Sequence, residues 1–188
     1  MAPRPPGAAP GAVAEAISGV DGRLDAVLGR WRGRPVPDAL AYAASALGDH
    51  GLVWFLIGLA RARRPGRRRR VAVWALVFSG AVTPAVNTAV KTLVGRGRPD
   101  PRDDDPRQVR AARTTSFPSG HALAAWCAAT VLADDDPGAP LYYLLAATVS
   151  ASRIHLRQHH ATDVLAGAAL GLGLGRWGRR LGHRLTGT

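Results

Sequence analysis

Apolar residues in this chain are gathered into blocks that short polar stretches separate. Residues 13–31 carry apolar side chains at helical spacing on one broad face, which predicts an amphipathic helix. Residues 39–60 form a longer apolar run that Asp49 and His50 interrupt. This run is either one tilted helix or an interfacial half-helix followed by a short membrane span.

Four further apolar blocks follow. Residues 71–94 are long enough to cross a membrane, and we expect Pro84 to kink the helix that they form. The remaining blocks, 120–133, 139–151 and 161–175, have apolar cores shorter than the roughly 20 residues of an isolated spanning helix, so each could equally be a buried core helix. Their polar ends carry the most reactive residues of the chain, which favours helices that end in a shared site. The pattern predicts an all-α, polytopic membrane helical bundle of about five to six spans with an N-terminal amphipathic helix.

The composition favours a membrane protein over a nucleic-acid-binding one. Hydrophobic residues make up 47% of the 188 residues, yet the formal net charge is +12. Seven of the arginines lie in residues 61–70, between two strongly apolar segments. Such a cluster is typical of the cytoplasmic flank of a spanning helix, and few aromatic side chains are present for base stacking. We therefore expect membrane lipids and no nucleic acid as partners, while the oligomeric state stays open.

The arginine cluster also predicts the orientation of the chain. If residues 61–70 face the cytoplasm, alternate crossings place loop 95–118 and segment 152–163 on the extracytoplasmic side. We expect an integral protein of a bacterial plasma membrane, with residues 13–188 as one membrane-embedded domain behind a disordered stretch at residues 1–12. Loop 95–118 contains six arginines, which the positive-inside rule does not explain.

Two polar clusters on the extracytoplasmic side are ambiguous when each is taken alone. In KTLVGRGRP, Lys91 is the only lysine among 25 Lys and Arg residues, which suggests a position that requires a compact ammonium donor. The alternative is a lysine that extends from a helix end to the membrane surface. In FPSGHALAAW, Ser119 begins an apolar helix whose first amides form an anion site, and His121 lies on its first turn. The alternative is a plain helix cap beside an interfacial histidine.

The third cluster, SRIHLRQHHATD at residues 152–163, has two possible ligands. Metal-binding residue types recur at every fourth position, at His155, His159 and Asp163. On one helix this spacing would imitate a metal site. The Glu of an H-E-x-x-H motif is absent, however, and Arg153 and Arg157 add positive charge where a cation would bind. These arginines favour an anion.

Taken together, the three clusters resemble the three-part signature of the type-2 phosphatidic acid phosphatase superfamily. Lipid phosphatases, glucose-6-phosphatase and the vanadium haloperoxidases belong to this superfamily. The resemblance covers residues 91–163. The chain has all three parts in order: K-x6-R-P at Lys91, Arg98 and Pro99, P-S-G-H at Pro118, Ser119, Gly120 and His121, and S-R-x5-H-x3-D at Ser152, Arg153, His159 and Asp163.

The resemblance implies a membrane phosphatase that acts on a lipid phosphate or diphosphate without a metal or other cofactor. His159 would attack phosphorus and form a phosphohistidine, while Asp163 would hold the second ring nitrogen of His159. His121 would protonate the leaving oxygen and then activate water. The phosphate oxygens would be held by Lys91, Arg98, Arg153, Ser119 and the amide of Gly120. His155 and His160 fall outside the pattern and receive no role.

Several interpretations stay open at this point. The rival activities are a metal-dependent membrane hydrolase, a vanadate-dependent peroxidase with the same pocket, and a non-enzymatic membrane or nucleic-acid binder. The loop bases Arg102, Arg107, Arg110 and Arg113 either bind a second phosphate or a sugar head group, or are solvated and neutralised by Asp100, Asp103, Asp104 and Asp105. The segment GAALGLGLG resembles a nucleotide loop only superficially. Its glycines repeat every four residues, at Gly167, Gly171 and Gly175, which predicts close helix packing.

Overall fold

The computed structural model describes residues 11–100, 114–134 and 136–186, and this part of the chain contains helices and no strand. The prediction for residues 1–12 and the question of the loop bases between residues 102 and 113 therefore fall largely outside the described residues. The elements are α1 (Ala12–Gly29), α2 (Pro35–Gly48), a 3-10 turn (Asp49–Gly51), α3 (Leu52–Ala62), α4 (Arg67–Leu93), α5 (Gly120–Leu132), α6 (Ala139–His155) and α7 (Ala161–Thr186). The all-α prediction is confirmed.

The apolar run at 39–60 forms two helices rather than one. His50 and Gly51 have φ values of 52° and 71°, so the chain leaves the right-handed helical region between α2 and α3. Gly48, at the end of α2, lies so close to α6 that a Cβ would stand 2.8 Å from Val149 Cγ1. This close approach brings the end of α2 and the turn after it beside the C-terminal half of α6.

Two segments are long and apolar enough to cross a membrane, namely Pro35–Ala62 and Arg67–Leu93. The second is α4, which continues as a helix through Pro84. The 3-10 turn at Asp49–Gly51 divides the first segment into α2 and α3, which can therefore take different directions. The count of five to six spans remains a prediction. Among the described residues, α5, α6 and α7 are not by themselves both long and apolar enough to be identified as spanning helices.

α5 is the central helix of the bundle. Its 13 residues are apolar on all sides, and α4, α6 and α7 surround it. Residues from Leu123 to Leu132 on this helix are almost entirely buried. A helix covered by other helices need not span a bilayer by itself, which explains why the block at 120–133 is short.

Glycines of α7 allow this helix to pack directly on the backbone of α5. A Cβ on Gly167 would lie 2.5 Å from the carbonyl oxygen of Ser119, and one on Gly171 would contact the carbonyl oxygen of Leu123. A Cβ on Gly175 would lie 2.5 Å from the Cβ of Thr130. The predicted role of these glycines in close helix packing is confirmed. We call this contact the glycine seam (Gly167, Gly171 and Gly175 against α5).

Basic and acidic residues meet at the end of the bundle opposite the three sequence motifs. Asp134, which follows α5, accepts hydrogen bonds from Arg67 at 3.3 Å and Arg179 at 2.9 Å, and lies 2.6 Å from His183 Nε2. Arg61 forms a 2.5 Å ion pair with Asp136. The arginine-rich segment 61–70, the turn after α5 and the C-terminal half of α7 thus lie at the same end of the bundle.

The glycine seam leads to a prediction about stability. Gly171→Ala should lower the thermal unfolding midpoint, because the added methyl group collides with the backbone of α5, which cannot rotate away. Gly173→Ala is the matched control on the same helix, since nothing lies within 4 Å of a Cβ there. The control should be neutral or more stable by up to about 1 kcal/mol, the helix-propensity gain of Ala over Gly. Thermal unfolding in detergent micelles measures both, and equal midpoints for the two variants would contradict the packing role.

Candidate active site

The three sequence motifs meet at one end of the bundle. The first motif runs from the last turn of α4 into an extended segment, the second begins α5, and the third joins α6 to α7. Direct contacts connect them. The backbone N–H of Ser119 donates to the carbonyl of Asp163 at 3.0 Å, and Arg98 Nη1 lies 3.4 Å from His159 Nε2.

His159 lies in the short turn between α6 and α7 and is 4% exposed. The turn folds back on the end of α6, because the backbone N–H groups of Gln158 and His159 both donate to the carbonyl of Arg153. The ring is held by its Nδ1 atom, which lies 2.7 Å from the carbonyl oxygen of Ser116. Because a carbonyl can only accept, this contact places the proton on Nδ1. Nε2 then keeps its lone pair on the side that faces Arg98.

Asp163 does not bond to His159 directly, which corrects the contact that the sequence motif implies. Asp163 Oδ2 lies 3.9 Å from His159 Nδ1, beyond hydrogen-bond distance. It accepts instead from the hydroxyl of Ser116 at 2.5 Å and from the backbone N–H of His160 at 2.9 Å. Ser116 therefore stands between the two residues: its hydroxyl binds the carboxylate and its carbonyl binds the imidazole.

Three cations point toward this histidine, and each is held by uncharged oxygen atoms. Lys91 donates to the carbonyl of Thr115, and Arg153 donates to the hydroxyl of Ser45. Arg98 donates to the carbonyls of Gln158 and Thr114. Within the described residues, no carboxylate forms an ion pair with any of these three side chains. Their charges consequently remain available to an anion that enters the site.

The environment keeps His159 neutral. Burial, together with the positive charges of Arg98, Arg153 and Lys91, lowers the pKa of His159 to about 2, because each of them disfavours the protonated ring. Burial also lowers the pKa of Arg98. A neutral imidazole whose Nε2 carries no proton is the form that can act as a nucleophile.

The start of α5 supplies the remaining groups that the sequence predicts. Ser119 is the N-cap of α5, and its hydroxyl accepts from the backbone N–H of Ala122 at 3.5 Å. Gly120 has no room for a side chain without displacing Asn87, whose Nδ2 would lie 3.1 Å from a Cβ. His121, on the first turn, places Nε2 2.7 Å from Asp49 Oδ1. The helix start predicted at this position is confirmed.

The alternative metal site at His155, His159 and Asp163 is not assembled. α6 ends at His155, and residues 156–160 form a turn, so His155 and His159 do not share one helical face. His155 Nε2 lies 2.7 Å from Asp38 Oδ1, which ties the end of α6 to the first turn of α2. Among the described residues, no group of three His, Cys, Asp or Glu side chains is arranged to hold a metal ion. His155 therefore has a structural contact of its own.

Among the residues that sequence reasoning missed, Ser116 and Arg96 bond to Asp163, Asp49 bonds to His121, and Asp21 bonds to Arg96. Ser116 lies just outside the second motif and matches no pattern. Asp49 had a signal, because a carboxylate that interrupts an apolar run needs an explanation. Arg96 had one as well, since the arginines of its loop contradict the positive-inside rule. Asp21 had none beyond its place in an amphipathic helix.

An apolar cleft of about 620 Å³ leads from the flank of the bundle to His121. Trp54 and Phe55 of α3 and Leu76 and Val77 of α4 line it. Its inner wall contains Gly120 and His121. Phe55 and Val77 are half exposed on the surface that would face lipid.

The low pKa of His159 predicts how stability depends on pH. An unfolded histidine has a pKa of about 6.5, so between that value and about 2 the unfolded chain binds a proton that the folded protein does not. The free energy of unfolding should therefore decrease below pH 6.5, by up to about 1.4 kcal/mol per pH unit, with no slope from this residue at higher pH. His159→Gln should lose this component. Thermal unfolding at pH 7.5 and 5.5 compares the two proteins, and parallel shifts would contradict the expectation.

Comparisons with known proteins identify the family of this chain. The model of the PAP2 superfamily matches residues 72–186. The decaprenylphosphoryl-5-phosphoribose phosphatase of Mycobacterium tuberculosis is 36% identical over 148 residues, which cover 76% of this chain and 78% of that protein. Its counterpart in Mycolicibacterium smegmatis is 34% identical over 157 residues, covering 82% and 84%.

The fold is similar to that of a solved membrane enzyme. A transmembrane PAP2 type phosphatidylglycerolphosphate phosphatase from Bacillus subtilis superposes with a TM-score of 0.68 at 24% identity, covering 93% of this chain and 88% of that one. The family model matches more than half of the residues, so the predicted resemblance to this superfamily is confirmed. The chain belongs to the PAP2 superfamily.

Proposed function

We propose that the protein is a membrane phosphatase that removes a phosphate group from a lipid-linked substrate through a phosphohistidine. The observation that carries this proposal is the set of three cations around His159. Lys91, Arg98 and Arg153 are held by neutral oxygens and surround a neutral ring whose Nε2 carries no proton. This arrangement fits a phosphate group, whose oxygens would neutralise the three charges.

In the first step, Nε2 of His159 attacks phosphorus, and the bond between phosphorus and the leaving oxygen breaks. His121, in the protonated form that the neighbouring Asp49 carboxylate favours, donates a proton to that oxygen and becomes neutral. The positive charge that forms on His159 is shared through Nδ1–H with the carbonyl of Ser116. Lys91, Arg98 and Arg153, with Ser119 and the amide of Gly120, hold the oxygens on which negative charge develops.

In the second step, water attacks the phosphohistidine. His121, now neutral, takes a proton from the water, and the bond between phosphorus and Nε2 breaks. Inorganic phosphate leaves, and both histidines return to their starting states. Asp49, 2.7 Å from His121 Nε2, is placed to hold this ring in orientation through the cycle.

The substrate we favour is a polyprenyl-phosphosugar phosphate. The cleft between α3 and α4 is apolar on the lipid side and ends at His121, where the leaving group would lie. A lipid chain could therefore stay in the bilayer while its phosphate reaches the cations. The relatives named for decaprenylphosphoryl-5-phosphoribose support this choice. A polyprenyl (di)phosphate or a phosphatidate-type lipid would fit the same cleft and forms the second candidate.

Activity assays with purified protein in detergent test the proposal. We expect phosphate release from decaprenylphosphoryl-5-phosphoribose to exceed release from polyprenyl diphosphate, phosphatidate and phosphatidylglycerolphosphate. Activity should survive excess EDTA, and vanadate should inhibit it, because vanadate can mimic the transferred phosphoryl group within the same donors. Activity that is lost on chelation and restored by zinc would favour the metal-dependent hydrolase, and no release from any of these lipids would contradict the proposal.

Histidine variants separate the nucleophile from its neighbours. His159→Ala should abolish turnover and the acid-labile phosphoenzyme that radiolabelled substrate leaves after rapid quenching. His155→Ala is the matched control, because His155 lies in the same segment but bonds to Asp38. Its turnover should stay within about tenfold of wild type, roughly 1.4 kcal/mol in barrier. A folded His155→Ala protein as inactive as His159→Ala would exclude this mechanism.

We further propose that the site opens on the extracytoplasmic side. The arginine-rich segment 61–70 lies at the opposite end of the bundle from His159, and arginines of this kind favour the cytoplasm. In a Cys127→Ala background, Asp100→Cys should react with an impermeant maleimide on intact cells. Arg68→Cys should react only after permeabilisation. The reverse labelling pattern would place the site in the cytoplasm.

A further inference from the structure

Helix α1 lies across the active-site end of the bundle and contacts the helices that carry the site. Arg32, just after α1, donates to the carbonyls of Ile154 and His155 at the end of α6. Leu24 and Leu28 pack against buried residues of α6 and α7. α1 is therefore attached at two places to the framework that holds His159.

Asp21 of α1 reaches the first turn of α7 and is 9% exposed. Its Oδ1 accepts from the backbone N–H of Thr162 at 2.8 Å and from the Thr162 hydroxyl at 2.9 Å. Its Oδ2 accepts from Arg96 Nη2 at 2.5 Å. The residue next to Thr162 is Asp163. Asp21 therefore contacts the first turn of α7, the helix that carries Asp163.

Arg96 connects Asp21 with Asp163. Its Nη1 donates to Asp163 Oδ1 at 2.7 Å and to the Thr162 hydroxyl at 2.7 Å, while Nη2 binds Asp21. The backbone carbonyl of Arg96 also accepts from the N–H of Ser116 at 2.8 Å. A single arginine thus contacts two carboxylates and the backbone of the serine that holds His159.

From these contacts we infer that Asp21 and Arg96 are positioning residues for the nucleophile, acting through Asp163 and Ser116. The inference rests on the proposed function, because it assigns a role within the same site. Asp163 is fully buried, and a buried carboxylate needs charged or polar partners on all its lone pairs. Arg96 supplies the cation, and Asp21 fixes the guanidinium plane so that Nη1 points at Asp163.

The effect on chemistry follows from geometry. Asp163 orients the hydroxyl of Ser116, and the carbonyl of the same serine receives Nδ1–H of His159. If the Arg96 guanidinium moves away from Asp163, then Asp163 and Ser116 can shift. Nε2 of His159 then no longer points at phosphorus. Displacements of about 1 Å at a reacting atom can reduce turnover by about a hundredfold. The binding cations do not contact Asp21, so substrate affinity should change little.

The test compares kcat and KM, on the lipid phosphate that wild type turns over best, with active sites counted by vanadate titration. Asp21→Asn keeps the shape of the side chain and should lower kcat about tenfold, with KM within about twofold. Arg96→Ala should lower kcat about a hundredfold, and Arg96→Lys should recover part of the loss. The double variant Asp21→Asn/Arg96→Ala should be no slower than Arg96→Ala, because Asp21 acts through Arg96.

Asp25→Asn is the matched control. Asp25 lies one turn further along α1 and pairs with Arg32 at 2.5 Å, so its loss weakens the attachment of α1 without touching Arg96 or Asp163. It should lower the thermal unfolding midpoint yet leave kcat within about twofold of wild type. Equal kcat losses for Asp21→Asn and Asp25→Asn, or additive losses in the double variant, would overturn the inference.

Two failures can be told apart in this design. If wild type itself releases no phosphate from any lipid tested, the proposed function is wrong. If wild type is active and folded Asp21→Asn protein turns over at the wild-type rate per titrated site, only the positioning role is wrong. If Arg96→Ala does not fold, Arg96→Lys and Asp21→Asn still give the comparison of kcat with KM.

Discussion

Three positive charges must stay close together around one neutral histidine, and the rest of the site depends on how this repulsion is contained. Carboxylate partners for Lys91, Arg98 and Arg153 would hold these side chains in place but would also compete with a phosphate group. The protein holds them with carbonyl and hydroxyl oxygens from the segment before α5, the turn before α7, and α2. Rigid neutral contacts of this kind preserve the charge for the substrate.

Two arginines, two positions apart, illustrate how the same side chain serves opposite purposes. Arg98 contacts neutral oxygens and faces His159, so its charge is directed at an incoming anion. Arg96 is paired with Asp21 and Asp163, so its charge is already neutralised within the protein. The partner, more than the residue type, decides whether a cation in this loop binds substrate or supports the framework.

The helices could be predicted well from the sequence, because the spacing of apolar residues that indicates a helix is local. The break at Asp49–Gly51 was one of two alternatives that the polar residues in this apolar run left open, and the glycine seam was expected from a four-residue repeat. Helix α6 extends to His155 instead of ending at 151, since tertiary contacts to Asp38 and Ser45 stabilise its polar last turn. The link from Asp21 to Thr162 joins residues 141 positions apart, and no local pattern can indicate such a contact.

The contact between His159 and Asp163 could not be predicted from local spacing either. The spacing of His159 and Asp163 was compatible with a direct bond, yet the backbone path through the turn places Ser116 between them. Only the position of the segment before α5 decides this, and that position depends on the packing of α5 against α7.

The glycine seam also determines which half of the enzyme is able to move. Where backbone packs on backbone, there are no side chains that could take up a small shift, so α5 and α7 have few alternative positions. The nucleophile turn and the start of α5 are attached to this rigid pair. The walls of the cleft on α3 and α4 are side chains such as Phe55 and Val77, so adjustment to lipids of different bulk would come from this side of the bundle. In the proposed enzyme, the end of the bundle that carries His159 is preformed, and the half that faces the bilayer accommodates the substrate.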